Sequence, residues 1–268
     1  MYLVALSVAG ALSAGAQTPV VANGGVLNGA SFARGQSVTP GSLISIFGSS
    51  LAATTATADS IPLSTAMANV SVTFNGTPAP LNGVFHDAVN GDQINAQLPW
   101  GTDTRSGTAQ IVVTRGGVAS APVSVPVAQF APGIFSTQFG VGQAIAINSD
   151  GSLAAPVGSI PGLATHPAKI GDPIGIAILA TGLGPVTPPV GDGRNTLDVL
   201  RNTVTMPAVL IGGVPANVSF SGLAPQFVGV NQVNVQLPPG TPAGDKVTLQ
   251  IQIGGVTSTD QVTIAVSQ

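Results

Sequence analysis

The chain has 268 residues, of which 44% are hydrophobic and only 6% charged, with a net charge of −3. That balance excludes an intrinsically disordered chain, and seven basic residues scattered without a cluster exclude the electrostatic footprint of a nucleic-acid binder. The lack of cysteine removes disulfides, thiolate metal sites and cysteine nucleophiles.

The length suits two domains better than one. Every acidic residue is Asp, Lys169 and Lys246 are the only lysines, and 35 Gly and 22 Pro punctuate runs of Val, Ile, Thr and Ala. Short strands joined by tight turns, an all-β fold, follow from that composition.

In chain order, Tyr2 to Ala16 is an apolar run ending in Ala14-Gly15-Ala16 ahead of Gln17. Residues 1–16 read as a signal peptide, or else as a buried apolar strand or helix. The run is too short to span a membrane and no later segment does so, so a secreted or cell-surface location is expected. Residues 17–36 form an extended lead-in whose Val20, Val21 and Val26 suit an additional strand. Residues 37–129 and 171–268 each read as an immunoglobulin-like β-sandwich. Residues 130–170 read as a connecting segment, with the turn Phe130-Ala131-Pro132-Gly133 and a β-hairpin over residues 143–152. Its Phe130, Ile134 and Phe135 are expected to pack on the sandwiches.

The two sandwiches are repeats of each other. Asp92-Gln93-Ile94-Asn95-Ala96-Gln97-Leu98-Pro99 returns as Asn231-Gln232-Val233-Asn234-Val235-Gln236-Leu237-Pro238, at an offset of 139. Phe74-Asn75-Gly76 is answered by Ile211-Gly212-Gly213, and Arg115-Gly116-Gly117 by Ile253-Gly254-Gly255. Alternation such as Val70-Ser71-Val72-Thr73-Phe74 places one face on a core and one toward solvent. Asn75-Gly76, Asn82-Gly83, Asn90-Gly91, Asp150-Gly151 and Asp192-Gly193 supply the positive φ that tight turns require. Within the repeated strand, Gln, Asn and Gln alternate with apolar residues. That polar face either satisfies its own neighbourhood or forms a binding strip, and the first has the greater weight.

Several phrases resemble the Solibacter-type C-terminal domain family of Acidobacteria. They are Asn28-Gly29-Ala30-Ser31-Phe32, Pro40-Gly41-Ser42-Leu43-Ile44-Ser45-Ile46-Phe47-Gly48, Ala131-Pro132-Gly133-Ile134-Phe135, Ala180-Thr181-Gly182-Leu183-Gly184-Pro185 and the segment from Val230 to Pro238. Each half is also similar to IPT/TIG-type immunoglobulin-like domains. The resemblance implies a β-sandwich module used at bacterial surfaces, with no catalytic residues to carry over.

Residues able to do chemistry are sparse. His86 and His166 are the only histidines, and no Gly-x-Ser-x-Gly elbow accompanies them. Both are expected in loops. Asp87, Asn90 and Asp92, and likewise Asp192, Asn195 and Asp198, carry oxygens of the kind Ca²⁺ takes. The same residue types are ordinary turn formers, so no metal, cofactor or catalytic residue is expected. Trp100, where the second repeat has Pro239, is the one candidate ligand contact, either packed or exposed for stacking on a sugar. The expectation is a non-enzymatic structural or adhesive protein that assembles with copies of itself, because so few charges give neighbouring subunits little to repel them. The alternatives are a monomeric module binding polysaccharide or a cell surface, and an accessory domain of a secreted hydrolase.

Overall fold

The structure, a computed structural model, describes residues 17–268. The apolar run read as a signal peptide lies outside the described residues. Among the described residues the chain is all-β and no helix is long and apolar enough to cross a membrane.

Four sheets pack as two sandwiches. In the first sandwich one sheet has the order Val20–Asn28, Leu43–Ser49, Asp92–Gln97, Leu81–Phe85, Ala56–Thr57, with every neighbour antiparallel. The facing sheet is built on Val70–Phe74 and Thr108–Arg115. Alternation closes the space between them: Val70, Val72 and Phe74 point inward while Ser71 and Thr73 stay half-buried. Ile44, Ile46, Val84 and Ile94 meet Val72, Phe74, Ile111 and Val113 in a buried apolar core. Each such side chain contributes roughly 1.5–3 kcal/mol by leaving water.

The second sandwich repeats this arrangement. Ile176–Thr181, Asn231–Gln236 and Asn217–Leu223 lie side by side, facing Ala208–Ile211, Gly244–Ile253 and Gln261–Ser267. Ile178, Val233, Val235, Ile211, Leu249, Ile251 and Ile264 fill its core.

Register fixes which residues correspond. Ser45 lies opposite Asn95 in the first sandwich and Ala177 opposite Asn234 in the second, so Ser45 and Ala177 occupy one position. By the same register Ser49 matches Thr181 and Gly41 matches Pro173. Arg115-Gly116-Gly117 and Ile253-Gly254-Gly255 make matching hairpins, with φ of 55° and 82° in one and 56° and 80° in the other. Successive positive φ values of this kind suit the right-handed twist of the flanking strands and are nearly free of strain only in glycine.

The repeat also reaches further than the sequence comparison does. Val20 and Val21 pair with Ser49 and Gly48, and Gly133 and Ile134 pair with the matching Thr181 and Ala180. Val26, Leu27 and Asn28 pair with Ile46, Ser45 and Ile44, and Ala146, Ile147 and Asn148 pair with Ile178, Ala177 and Ile176. Residues 130–148 therefore supply the second sandwich with its own first strand, interrupted by an insertion. The 130–170 segment adds Val141–Gln143 and Ala168–Lys169 alongside Gln261–Ser267, both parallel. Ile134, Ala144, Ala154 and Ala168 are core residues, with Phe130 packed against them.

One turn signal falls elsewhere. Asn82-Gly83 lies inside the strand Leu81–Phe85, where the register shifts between Leu81 and Gly83. An Asn-Gly pair serves a bulge as readily as a hairpin, and here the hairpin lies further on, around Gly91.

Candidate functional site at the seam between the sandwiches

One end of the first sandwich sits on one end of the second. The Leu43 N–H, at the start of its strand, donates to Gly229 O at 3.2 Å and to Thr181 Oγ1 at 3.0 Å. Asn28 Nδ2 donates to Ala131 O at 2.8 Å. The Asp192-Gly193 turn reaches back into the first sandwich: the Gly193 N–H donates to Gln97 Oε1 at 2.7 Å and Gly193 O accepts from the Leu63 N–H at 2.8 Å. Phe130 packs on the second sandwich beside this join, its ring lying where a side chain on Gly184 or Gly254 would have to go.

Trp100 lies at this seam. Gln97 ends its strand, and Leu98-Pro99 carries the chain out so that the indole ring lies flat on Gly41. A Cβ on Gly41 would fall 2.3 Å from ring atoms. The Trp100 N–H donates to Asp192 Oδ1 at 2.7 Å. The ring is half-buried, and one side borders a cavity of about 220 Å³ shared by Thr39, Thr102 and Thr104 of the first sandwich and Gln129 and Pro185 beyond it. The indole Nε1–H is buried without a partner. A larger groove of about 660 Å³ opens on another side of the seam, between Ala58–Leu63 and Gln226–Val230.

The other candidate residues are occupied in turns. Asp87 accepts the N–H groups of Val89 and Asn90 and the Asn90 side chain at 2.8–2.9 Å. The Asn90 side chain chiefly, helped by those N–H groups, pulls its carboxyl down to about 2. Asp92 is buried, accepting the Ala52 N–H at 3.0 Å and pairing with His86 Nδ1 at 2.8 Å. Burial acts to raise its carboxyl, but the Ala52 N–H, His86 and the Asp87 N–H together hold it below the ordinary value.

His166 Nε2 meets Asp150 at 3.0 Å, and the Pro167 carbonyl and Asp150 raise the imidazole. Asp150, held mainly by the Ser152 N–H and hydroxyl, is pulled down to about 2. Asp192 accepts the Trp100 N–H at the seam. Asp198 forms a bidentate pair with Arg201 at 2.6 and 3.0 Å, which lowers its carboxyl. Among the described residues no three His or Asp side chains converge as a metal would need.

On the repeated strand, Gln93 Nε2 donates to Asn95 Oδ1 at 2.7 Å, and Ser45 Oγ donates to the same oxygen at 2.9 Å. Gln232 and Asn234 repeat the bond at 2.8 Å. The polar face largely satisfies itself. Gln97 differs, because it is buried and spends its amide on Gly41 O at 3.1 Å and on Gly193 across the seam. Sequence reasoning passed over that role, although the identity of Gln97 and Gln236 in the repeat marks the position. It also missed Asp260. This carboxylate is buried and accepts the Ile134 N–H at 2.8 Å. Burial pushes it up to about 6 against the pull of Ile134 and Ser258.

No known family profile matches the chain, and no curated protein matches it. Among solved structures it is similar to domains 5-6 of the S-layer protein SbsC, at 14% identity over 93% of this chain and 98% of that one, with a TM-score of 0.29. It is similar to the full extracellular region of plexin A4 at 9% identity and a TM-score of 0.26, covering 95% of this chain and 16% of the plexin. The Yersinia pseudotuberculosis adhesin InvE matches at 15% identity and a TM-score of 0.20, over 84% of this chain and 55% of the adhesin. At that distance none of these likenesses bears on function.

Proposed function

We propose that the chain is a non-enzymatic, extracellular structural protein, a two-sandwich building block that associates with copies of itself at a bacterial surface. One observation carries this reading. The two sandwiches are locked end to end by main-chain and buried side-chain hydrogen bonds from Leu43, Leu63, Gln97 and Trp100. A contact of that kind restricts relative domain motion far more than a flexible linker does. A stiff unit with few charges suits a load-bearing array better than a mobile receptor. The phrases that resemble the Solibacter-type domain family agree with export and a surface role, and we propose that kinship on those phrases alone. Sedimentation of the purified chain at rising concentration tests the proposal: reversible growth beyond the 26.3 kDa monomer supports it, and a monomer throughout overturns it.

A second reading rests on Trp100. The half-buried indole beside a cavity with threonine and glutamine walls has the mixed apolar and polar lining of a small carbohydrate site. Titration with oligosaccharides, followed by the fluorescence of this single tryptophan, decides it. Saturable quenching that Thr102→Val weakens supports a sugar site, and no change across a glycan panel rejects it.

A further inference from the structure

The seam uses one end of each sandwich, and because the sandwiches are repeats, the molecule carries each of those ends twice. The first sandwich contributes what may be named its lower end: residues 41–43, the groove wall after Ala56–Thr57, and Gln97. The second contributes its upper end: Thr181 to Gly184 and the turn 224–230. Among the described residues, the upper end of the first sandwich meets Gln17 of the lead-in but not the second sandwich, and the lower end of the second does not meet the first. We infer that a second copy occupies them, the upper end of one chain's first sandwich receiving the lower end of another chain's second sandwich, so that copies stack head to tail.

Part of the matching set is present at these ends, although Pro239, in the place of Trp100, has no N–H to donate and Gln236 Oε1 accepts from Asn217 Nδ2 at 2.8 Å. At the upper end of the first sandwich, Ser49 stands where Thr181 presents its hydroxyl to Leu43, since Ser49 and Thr181 share one register position. Ser50 holds φ of 55° where Gly182 holds 81°. A non-glycine residue in that region is costly, and the matching turn accounts for it. Ser49 and Ser50 line a cavity of about 280 Å³ with the turn 86–91, the counterpart of 224–230. Val89 at that turn is 89% exposed.

At the lower end of the second sandwich, Gln236 Nε2 donates to Pro173 O as Gln97 Nε2 donates to Gly41 O. Beside it Ile174 is 68% exposed. Asp172 caps the N–H groups of Ile174 and Gly175, the latter at 3.4 Å. Gly175 is the position that in the first sandwich, as Leu43, donates across the seam. One exposed apolar side chain, Val89 or Ile174, thus stands at each of the two complementary ends. A contact between two different surfaces propagates as an open chain when the rotation does not close.

This inference rests on the self-association proposed above. The test uses the purified full chain, Val89→Asp, Ile174→Asp, and a Val157→Asp control at another exposed apolar position, followed by analytical ultracentrifugation. Wild type and the control are expected to form multiples of the monomer. Each end variant is expected to associate about thirtyfold or more weakly, the effect of an aspartate at a central contact.

The decisive sample is an equimolar mixture of the two end variants. Each retains one intact end, so head-to-tail stacking yields two-chain species and nothing longer. Circular dichroism of each variant separates a lost contact from a lost fold. If wild type associates and the end variants associate equally well, this inference falls while self-association stands. A wild type that stays monomeric overturns both.

Discussion

Replacing Asp260 with Asn should stabilise the protein at neutral pH and leave it unchanged in mild acid. Asp260 sits between Ser258 and the strand Gln261–Ser267, is 8% exposed, and accepts the Ile134 N–H from the first strand of the second sandwich. Burial raises its carboxyl from 3.8 to about 6. A group whose pKa is raised on folding holds its proton more tightly in the native state. Its favourable contribution is complete below the unfolded value and is lost as pH rises through about 6. Above that the folded protein carries a buried charge. A shift of about two units corresponds to roughly 3 kcal/mol.

Asparagine keeps an oxygen for Ile134 and removes the charge. Asp260→Asn is therefore expected to gain about 2–3 kcal/mol at pH 8, or roughly 5–10 °C in Tm for a chain of this size. The gain should shrink through pH 6 and vanish near pH 4. Urea unfolding of both proteins from pH 4 to pH 8 measures it, and the other carboxylates cancel in the difference. A gain independent of pH, or a loss at pH 8, refutes the reasoning.

Gly41→Ala is expected to destabilise by about 2 kcal/mol or more, because the methyl group collides with the Trp100 ring at a backbone φ of 81°; thermal melts give the loss and a red-shifted emission shows the ring displaced. Gln97→Ala removes two buried hydrogen bonds and leaves Gly193 unpaired, a cost of about 1–3 kcal/mol in urea. Gln93→Ala on the half-buried strip is expected to cost less than about 0.5 kcal/mol, so the two glutamines separate a seam role from a surface role. Asp150→Asn loses a carboxylate held down to about 2 by Ser152 and His166. The loss is present at neutral pH and disappears as pH falls through about 2, where the native Asp150 is itself protonated, and acid titration followed by circular dichroism checks it.

The sandwich framework was legible because its signals are local. Val70 to Phe74 alternates with period 2, and Gly116-Gly117 and Gly254-Gly255 mark hairpins without reference to anything distant. Asn82-Gly83 shows where such signals stop, since the same dipeptide shapes a bulge when a partner strand runs past it. The first strand of the second sandwich was not legible as the counterpart of Val20–Asn28. It is split into pieces of two and three residues, Gly133–Ile134 and Ala146–Asn148, separated by an insertion, and only pairing register reveals the match. Trp100 was legible as an unusual residue. Its setting was not, because Gly41 and Asp192 come from 59 residues before it and 92 after it in sequence. Gln97 and Gln93 look alike in sequence, and only the arrival of Gly193 from the other sandwich distinguishes them.

The most direct test of the account is the equimolar mixture of Val89→Asp and Ile174→Asp chains in the ultracentrifuge. End-to-end stacking predicts two-chain species near twice 26.3 kDa from partners that are each monomeric alone. A mixture that stays monomeric while wild type assembles, or one that grows into longer species, contradicts it.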